Sequence, residues 1–558
     1  MFFVILACSW ALLHHGFFRV HDYVHAGRIA EMWRGLSEGQ FPVRWSGNFG
    51  FGYGMPLFSF YAPLPYFVGA LFWGAGLDVI ASIKLLYLIT AIGSWFGMYF
   101  LAKNLFGKTS GLVAATLFTL APYRAMNLFL RGALSESWAL MAAPWILLGI
   151  WMTFQRRKYG SAVLITSLVT LFLSHNISIL LFVPFSLGIV VLVAAQYKFK
   201  LAELVKVALS YIIAIALSAF YLIPAFVEKD FTRVERGIGG YFAYSQHFLY
   251  IRQFIKPTWS FDGGSGWGPD DGISFFLGYG QWLGLAIIAI ILLVWLWQHR
   301  QSWSKWFFHK NLQCLVVFLG MAATSLFMTL EKSLPIWKLN DIFKNIQFPW
   351  RWLGVAEFWL ALATAAGITL IPRRFLRMKV AAVIVLVTLA MNWQYFRPSQ
   401  FMDHPENLYK TDLVFIQSTL SSILPDYIPI QMDEKLEPPV NLVLVPEGLQ
   451  DKVSIVINLA DQKLIKTSFQ SETKMDIEVA DFPGWKLEID GQEAPKLPGP
   501  HGSISVMMPK GEHFLSVEFA ETPVRAWSDR LSGVTAAGLL IFCGYTLANK
   551  KVRHAKET

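Results

Sequence analysis

Charged residues are scarce in this chain: 15% of its 558 residues are Asp, Glu, Lys or Arg, against about 25% in soluble domains. That shortage excludes an ordinary water-soluble globule. Cysteine is nearly absent, with Cys8, Cys314 and Cys543 each set in an apolar segment. Such spacing offers neither a metal cluster nor a disulfide framework, and the three read as small buried apolar residues. Acids are outnumbered, giving a formal net charge of +10. The excess cations fall in short loops between apolar runs, where orientation in a membrane accounts for them. Nucleic acid is therefore not expected as a partner.

What is abundant is apolar: 55% of the residues are hydrophobic and 16% aromatic, with a mean hydropathy of +0.46. Runs of roughly 17–25 apolar residues recur, long enough to cross about 30 Å of hydrocarbon as helices. Their positions and the Lys/Arg bias predict a mainly α polytopic membrane protein of about 12 spans. These lie near 2–18, 80–102, 110–122, 138–154, 160–174, 177–195, 206–224, 275–297, 312–330, 352–371, 380–396 and 531–548. Residues 63–76 are too short and glycine-rich to span and read as an interfacial or re-entrant helix. Basic clusters at Arg156-Arg157-Lys158, at Arg373, Arg374, Arg377 and Lys379, and at Lys550-Lys551 mark the cytoplasmic side, and both termini come out there.

Residues 397–528 change character. Val453–Ile457 and Phe514–Phe519 alternate with period two, and Trp485–Ile489 runs into Asp490-Gly491, a hairpin-turn pair. The expectation is a C-terminal extracytoplasmic β-sandwich. The domain plan is then a transmembrane domain over 1–396, with a first outer loop at 19–62 and a long outer loop at 225–274. The sandwich occupies 397–528, and a last span with a basic tail occupies 529–558.

Candidate chemistry gathers on the outer face. The stretch Arg19–Pro65 carries acids, histidines, four arginines and a Gly-aromatic alternation, more than a connecting loop needs. It reads as one wall of an active site with Asp22 at its centre, because an acid at a membrane edge is costly unless paired. His25 and Arg28 are its near neighbours and Arg44 follows. Outer arginines, including Arg28, Arg44, Arg131 and Arg351, oppose the orientation bias, and the guanidinium fork suits a lipid-linked phosphate. Arg131 and Glu136 stand five apart at a helix start, as a structural ion pair or as a second acid facing Asp22. His175-Asn176 is either a site element or a pair of polar helix-end residues. A divalent metal held by Asp22, Glu136 and a histidine is an option without a tight ligand motif. The loop Trp259–Gly272, with Asp262, Trp267, Asp270 and Asp271, mixes indole faces and carboxylates as sugar sites do, or forms a lid or a plain loop.

Taken together, these residues resemble a known family. Asp22, His25 and Arg28, then Gly39-Gln-Phe-Pro-Val-Arg44-Trp45, Gly52-Tyr-Gly-Met-Pro56 and Phe60-Tyr-Ala-Pro63-Leu-Pro-Tyr66 are similar to bacterial integral membrane proteins labelled 6-pyruvoyl-tetrahydropterin synthase-related. Ser174-His175-Asn176, Gln347-Phe-Pro-Trp-Arg351, Phe482-Pro-Gly-Trp485 and Thr522-Pro-Val-Arg525 extend the likeness over nearly the whole chain. Nothing in it looks like the soluble zinc-dependent pterin enzyme. That family in turn resembles the GT-C glycosyltransferases, which place an essential acid in the first outer loop, here Asp22, and a second in the next, here Glu136. Ala62-Pro63-Leu64-Pro65 matches their Pro-Pro-Leu-type segment.

The resemblance implies a transferase in the bacterial plasma membrane that uses a polyprenyl-phosphate sugar and a glycan or lipid acceptor. Asp22 would be the general base, and Arg28, Arg131 and Arg351 would hold the departing phosphate. The alternatives are a non-catalytic transporter or flippase of lipid-linked glycans, and a membrane scaffold.

Overall fold

The computed structural model describes residues 1–260, 263–298, 300, 309–423 and 425–557, with side chains described as far as 546. Eight helices among the described residues are long and apolar enough to cross a membrane: Val79–Phe106, Lys108–Arg131, Leu134–Phe154, Asn176–Gln196, Tyr279–Gln298, Lys310–Met328, Pro349–Leu370 and Arg374–Tyr395. A ninth forms if Leu201–Leu217 and Ala219–Val227, bent by 70° at Ser218, count as one. Of the other three segments expected to span, Phe2–Leu13 and Gly160–Phe172 are shorter apolar helices, and the third lies within the helix Pro523–Glu557. The segment read as too short to span is the helix Leu64–Gly74, opened by Pro65 in its first turn.

The chain divides into two compact units. One comprises residues 1–25, 76–210 and 236–409 and holds all eight long apolar helices. Local rules set its joints. Asp78 caps Val79–Phe106 by accepting the Ala81 N–H at 2.9 Å. Gly107, at φ 91°, turns the chain in one residue into Lys108–Thr119. Three helices are buried nearly all round: 94% of the apolar window of Lys108–Arg131, 83% of Leu134–Phe154 and 94% of Pro349–Leu370 lie inside the protein, against 22% for Arg374–Tyr395. Polar side chains on those three therefore meet protein rather than lipid.

The second unit comprises residues 26–75, 211–235 and 410–558. Among the described residues its β-rich part has nine strands: β1 (Val443–Leu444), β2 (Val453–Asn458), β3 (Gln462–Phe469), β4 (Thr473–Ala480), β5 (Trp485–Ile489), β6 (Gln492–Ala494), β7 (Leu497–Pro498), β8 (Ser503–Met508) and β9 (Gly511–Phe519). They form two open antiparallel sheets, ordered β1-β4-β8-β7 and β2-β3-β9-β5-β6. Asp490 at φ 49° and Gly491 at φ 81° make the turn between β5 and β6, the Asp-Gly hairpin legible in the sequence.

The Gly-aromatic stretch is a structural device of this unit. Glu31 accepts from Ser46 Oγ at 2.5 Å, Asn48 N at 3.1 Å and Asn48 Nδ2 at 2.9 Å, which ties the loop to its helix. Gly54, at φ 84°, lets the Trp45 indole lie where a Cβ would be 2.4 Å from its Nε1. Trp45 then packs edge-on to Trp485 and beside Phe519.

Candidate functional site

In the first unit the site grows from an irregular helix end. After Pro122–Met126 the chain forms one π-helical turn, Asn127–Arg131, and stops at Gly132 in the left-handed region at φ 70°. A Cβ on Gly132 would lie 2.5 Å from Val20 and 3.1 Å from the Asp22 carbonyl, so only glycine admits the strand that passes there. That strand is pinned to the turn: His21 N–H donates to Leu130 O and Asp22 N–H to Arg131 O, each at 2.9 Å. His25 Nε2 donates to Gly132 O at 2.5 Å.

Glu136, in the first turn of Leu134–Phe154, is the hub. It accepts from Tyr123 Oη at 2.5 Å, Asn127 Nδ2 at 3.2 Å and Arg131 Nη1 at 2.8 Å. Arg351 Nε stands 3.7 Å from the same carboxylate and donates through Nη1 to Gln347 Oε1 at 2.8 Å and Ile346 O at 2.7 Å. Two guanidinium groups thus converge on one buried acid, the arrangement that compensates the cost of dehydrating all three charges. The Trp350 ring lies against Arg131 at 4.6 Å. Trp350 Nε1 donates to Ser265 Oγ at 2.9 Å, and Ser265 bonds His247 Nδ1 at 2.7 Å.

The Asp22 charge acts on Arg131 and on Tyr409, whose phenol is pushed well above its usual range by burial first and by Asp22 next. The half-buried Asp22 carboxyl therefore shares a neighbourhood with the arginine–glutamate cluster. His175 also feels that cluster. Burial, then Arg351 and Arg131 against the opposing pull of Glu136, lower its imidazole to about 3, so it is neutral near pH 7. Its Nδ1 pairs with Ser178 Oγ at 2.8 Å.

The structure brings Asp22, His25, Arg131, Glu136, His175 and Arg351 into one unit, with Arg131, Glu136 and Arg351 in contact. Asn176 opens its helix on the surface. Trp267 is 66% exposed in the long loop, and Asp262 lies outside the described residues. Arg28 and Arg44 belong to the other unit and have partners there. Arg28 Nη1 donates to Tyr66 Oη at 2.9 Å, with its guanidinium 3.8 Å from the Tyr61 ring. Arg44 is bound by Asp529 at 2.5 Å, Glu521 at 3.2 Å and Phe220 O at 2.9 Å. Among the described residues no group of three or more His, Cys, Asp or Glu is gathered as a metal would require, so the metal option finds no ligand set.

Sequence reasoning missed Tyr123, Asn127, Gln347, Trp350, Ser265 and His247. Gln347 and Trp350 stood in the quoted Gln-Phe-Pro-Trp-Arg motif, and Asn127 precedes Arg131 by one helical turn. Ser265 lay in the Trp259–Gly272 loop singled out for its tryptophans and acids, and Tyr123 carried no signal.

The fold and site define a multi-helix membrane protein whose most buried helices hold paired arginines on an acid. It belongs to the family of 6-pyruvoyl-tetrahydropterin synthase related membrane proteins, whose model matches residues 58–399. No curated protein matches the chain.

Proposed function

We propose that the protein is a membrane glycosyltransferase of GT-C type that uses a polyprenyl-phosphate sugar at the outer face of the bacterial plasma membrane. The observation that carries this reading is the convergence of Arg131 and Arg351 on Glu136, beside a segment that presents Asp22. A cell-envelope acceptor hydroxyl attacks the anomeric carbon of the donor. The bond from that carbon to the phosphate oxygen breaks, polyprenyl phosphate leaves with the electron pair, and the hydroxyl proton passes to the Asp22 carboxylate. Arg131 and Arg351 offer the donors that stabilise the departing phosphate. Glu136, already holding four partners, serves to aim those arginines rather than as a second base. In this reading the chain has twelve spans, both termini are cytoplasmic, and the two sheets face each other as an outer sandwich that positions acceptor.

Asp22→Asn tests the assignment. The full chain in nanodiscs, given labelled polyprenyl-phosphate sugars and envelope acceptor, should lose about 10²- to 10⁴-fold in turnover with this variant. Near-normal turnover would exclude Asp22 as the base.

The second reading, a transporter or flippase of lipid-linked glycans, draws on buried charge inside the spans. Arg124 reaches Thr90 O at 3.3 Å, and Glu357 accepts the Tyr123 N–H at 3.4 Å within the same helical core. Movement of labelled donor across a vesicle membrane without new glycosidic product would favour it.

A further inference from the structure

One cavity in the first unit has no part in that chemistry. It is a cleft of about 350 Å³ among Leu134–Phe154, Asn176–Gln196 and Lys310–Met328, within the roughly 300–1,000 Å³ of ligand sites. Trp151, which lines it, stands fifteen residues beyond Glu136 on one helix, or about 22 Å along the axis at ~1.5 Å per residue. It is therefore a separate site at the opposite end of the bundle core.

Its chemistry is two-part. Trp151, Val193, Cys314 and Phe318 form a buried apolar wall, while the exposed Gln196 and Gln313 bring carboxamides to it. Cations gather where those amides are. The Lys310 ammonium lies 5.3 Å from the Trp151 ring, and its charge acts on Cys314. Gln196 leads directly into Tyr197, Lys198 and Lys200, with the Lys200 ammonium 5.9 Å from the Tyr197 ring. Among the described residues no acid lines the cleft, and the acid nearest in sequence to Gln196, Glu203, is bound by Arg156 at 2.5 Å. An apolar slot of this kind, with amide donors lining it and the Lys310 ammonium beside its Trp151 wall, matches one ligand class: a lipid whose acyl chain fills the slot and whose anionic head group meets that ammonium.

We infer that this cleft is a binding site for an anionic phospholipid of the surrounding bilayer. The inference stands apart from the proposed transfer reaction. A free phosphate does not fit it, since the wall is apolar, and a zwitterionic lipid gains little from the lysines.

The full chain is reconstituted in phosphatidylcholine nanodiscs, with and without phosphatidylglycerol, and the lipid retained on release is read by native mass spectrometry. Phosphatidylglycerol should stay bound in preference to phosphatidylcholine. Lys310→Ala should weaken its retention about fivefold, the effect of one lysine near an anionic head group. Ala195→Trp, which fills the slot, should abolish retention. Alkylation of a cysteine placed on the exposed lining by Gln313→Cys, mapped by peptide, should be slowed by phosphatidylglycerol and not by phosphatidylcholine. Equal retention of both lipids, unchanged alkylation, or displacement of phosphatidylglycerol by equimolar polyprenyl phosphate would each overturn the proposal.

Discussion

Glu136→Gln separates two tasks an acid could have in this site. The glutamate holds Arg131 at 2.8 Å and faces Arg351 at 3.7 Å while accepting from Tyr123 and Asn127. The carboxamide has the same shape, and its oxygen can still accept from Tyr123 and Asn127. Its NH₂ then meets the Arg131 guanidinium donor to donor, and two buried cations lose their counter-charge. Removing one partner from a buried ion pair costs about 3–5 kcal/mol. Loss on that scale should appear as a lowered midpoint at unchanged slope when the purified chain is unfolded by SDS in mixed micelles. The double variant Glu136→Gln/Arg131→Gln should be less destabilised than the sum of its parts, with a coupling of about 1–3 kcal/mol. Asp22→Asn, at a half-buried position on the edge of the cluster, should cost less stability than Glu136→Gln. A Glu136→Gln protein within about 1 kcal/mol of wild type, or strict additivity in the cycle, would refute the anchor role and return Glu136 to the list of candidate bases.

In the second unit, Arg525 is fully buried, donating to Glu228 Oε2 at 2.8 Å and Pro483 O at 3.0 Å with its guanidinium 4.6 Å from the Phe519 ring. Arg525→Lys cannot reproduce that fork, and an unfolding shift of about 3 kcal/mol is expected in the same SDS titration. The exposed pair His513–Asp490, at 2.6 Å, gives a pH dependence. Asp490 first, then the Lys510 carbonyl, raise the His513 pKa, and His513 first lowers that of Asp490. The histidine contribution is therefore complete below its unfolded value of about 6.5 and is lost as pH rises through the folded one. The aspartate contribution is present above about 3.9 and is lost as pH falls below it. The Phe514 amide, which donates to Asp490 Oδ1 at 2.9 Å, should lose hydrogen-exchange protection beyond the intrinsic pH trend above neutrality, and Asp490→Asn should abolish that extra loss.

Much of this architecture was readable because span length and strand alternation are local properties. A helix needs about 20 apolar residues to cross the hydrocarbon, and those runs stand out whatever their tertiary partners. The Asp490-Gly491 turn was equally local, since only a few residue types accept two successive positive φ angles. The Arg131–Glu136 pairing spans one short break between helices and was visible because the two residues stand five apart in sequence. What joins Glu136 to Tyr123 was hidden, because the two lie thirteen residues apart on either side of the break at Gly132, where no helical periodicity carries across.

The first outer loop shows the opposite limit. Its arginines were grouped by nearness in sequence, yet Arg44 finds Glu521, 477 residues away, and Asp529, 485 away. Of its glycines, Gly54 makes room for the Trp45 ring, and Gly50 and Gly52 lie against Gly54 O and Gln417. Charge at an unexpected place on the chain signals that a partner exists, and it does not say whether that partner is substrate or protein. Only burial and hydrogen-bond saturation decide between the two. By that measure Arg44 is committed to the fold, whereas Arg131 and Arg351 converge on one carboxylate, and the proposed phosphate role requires them to exchange part of that binding.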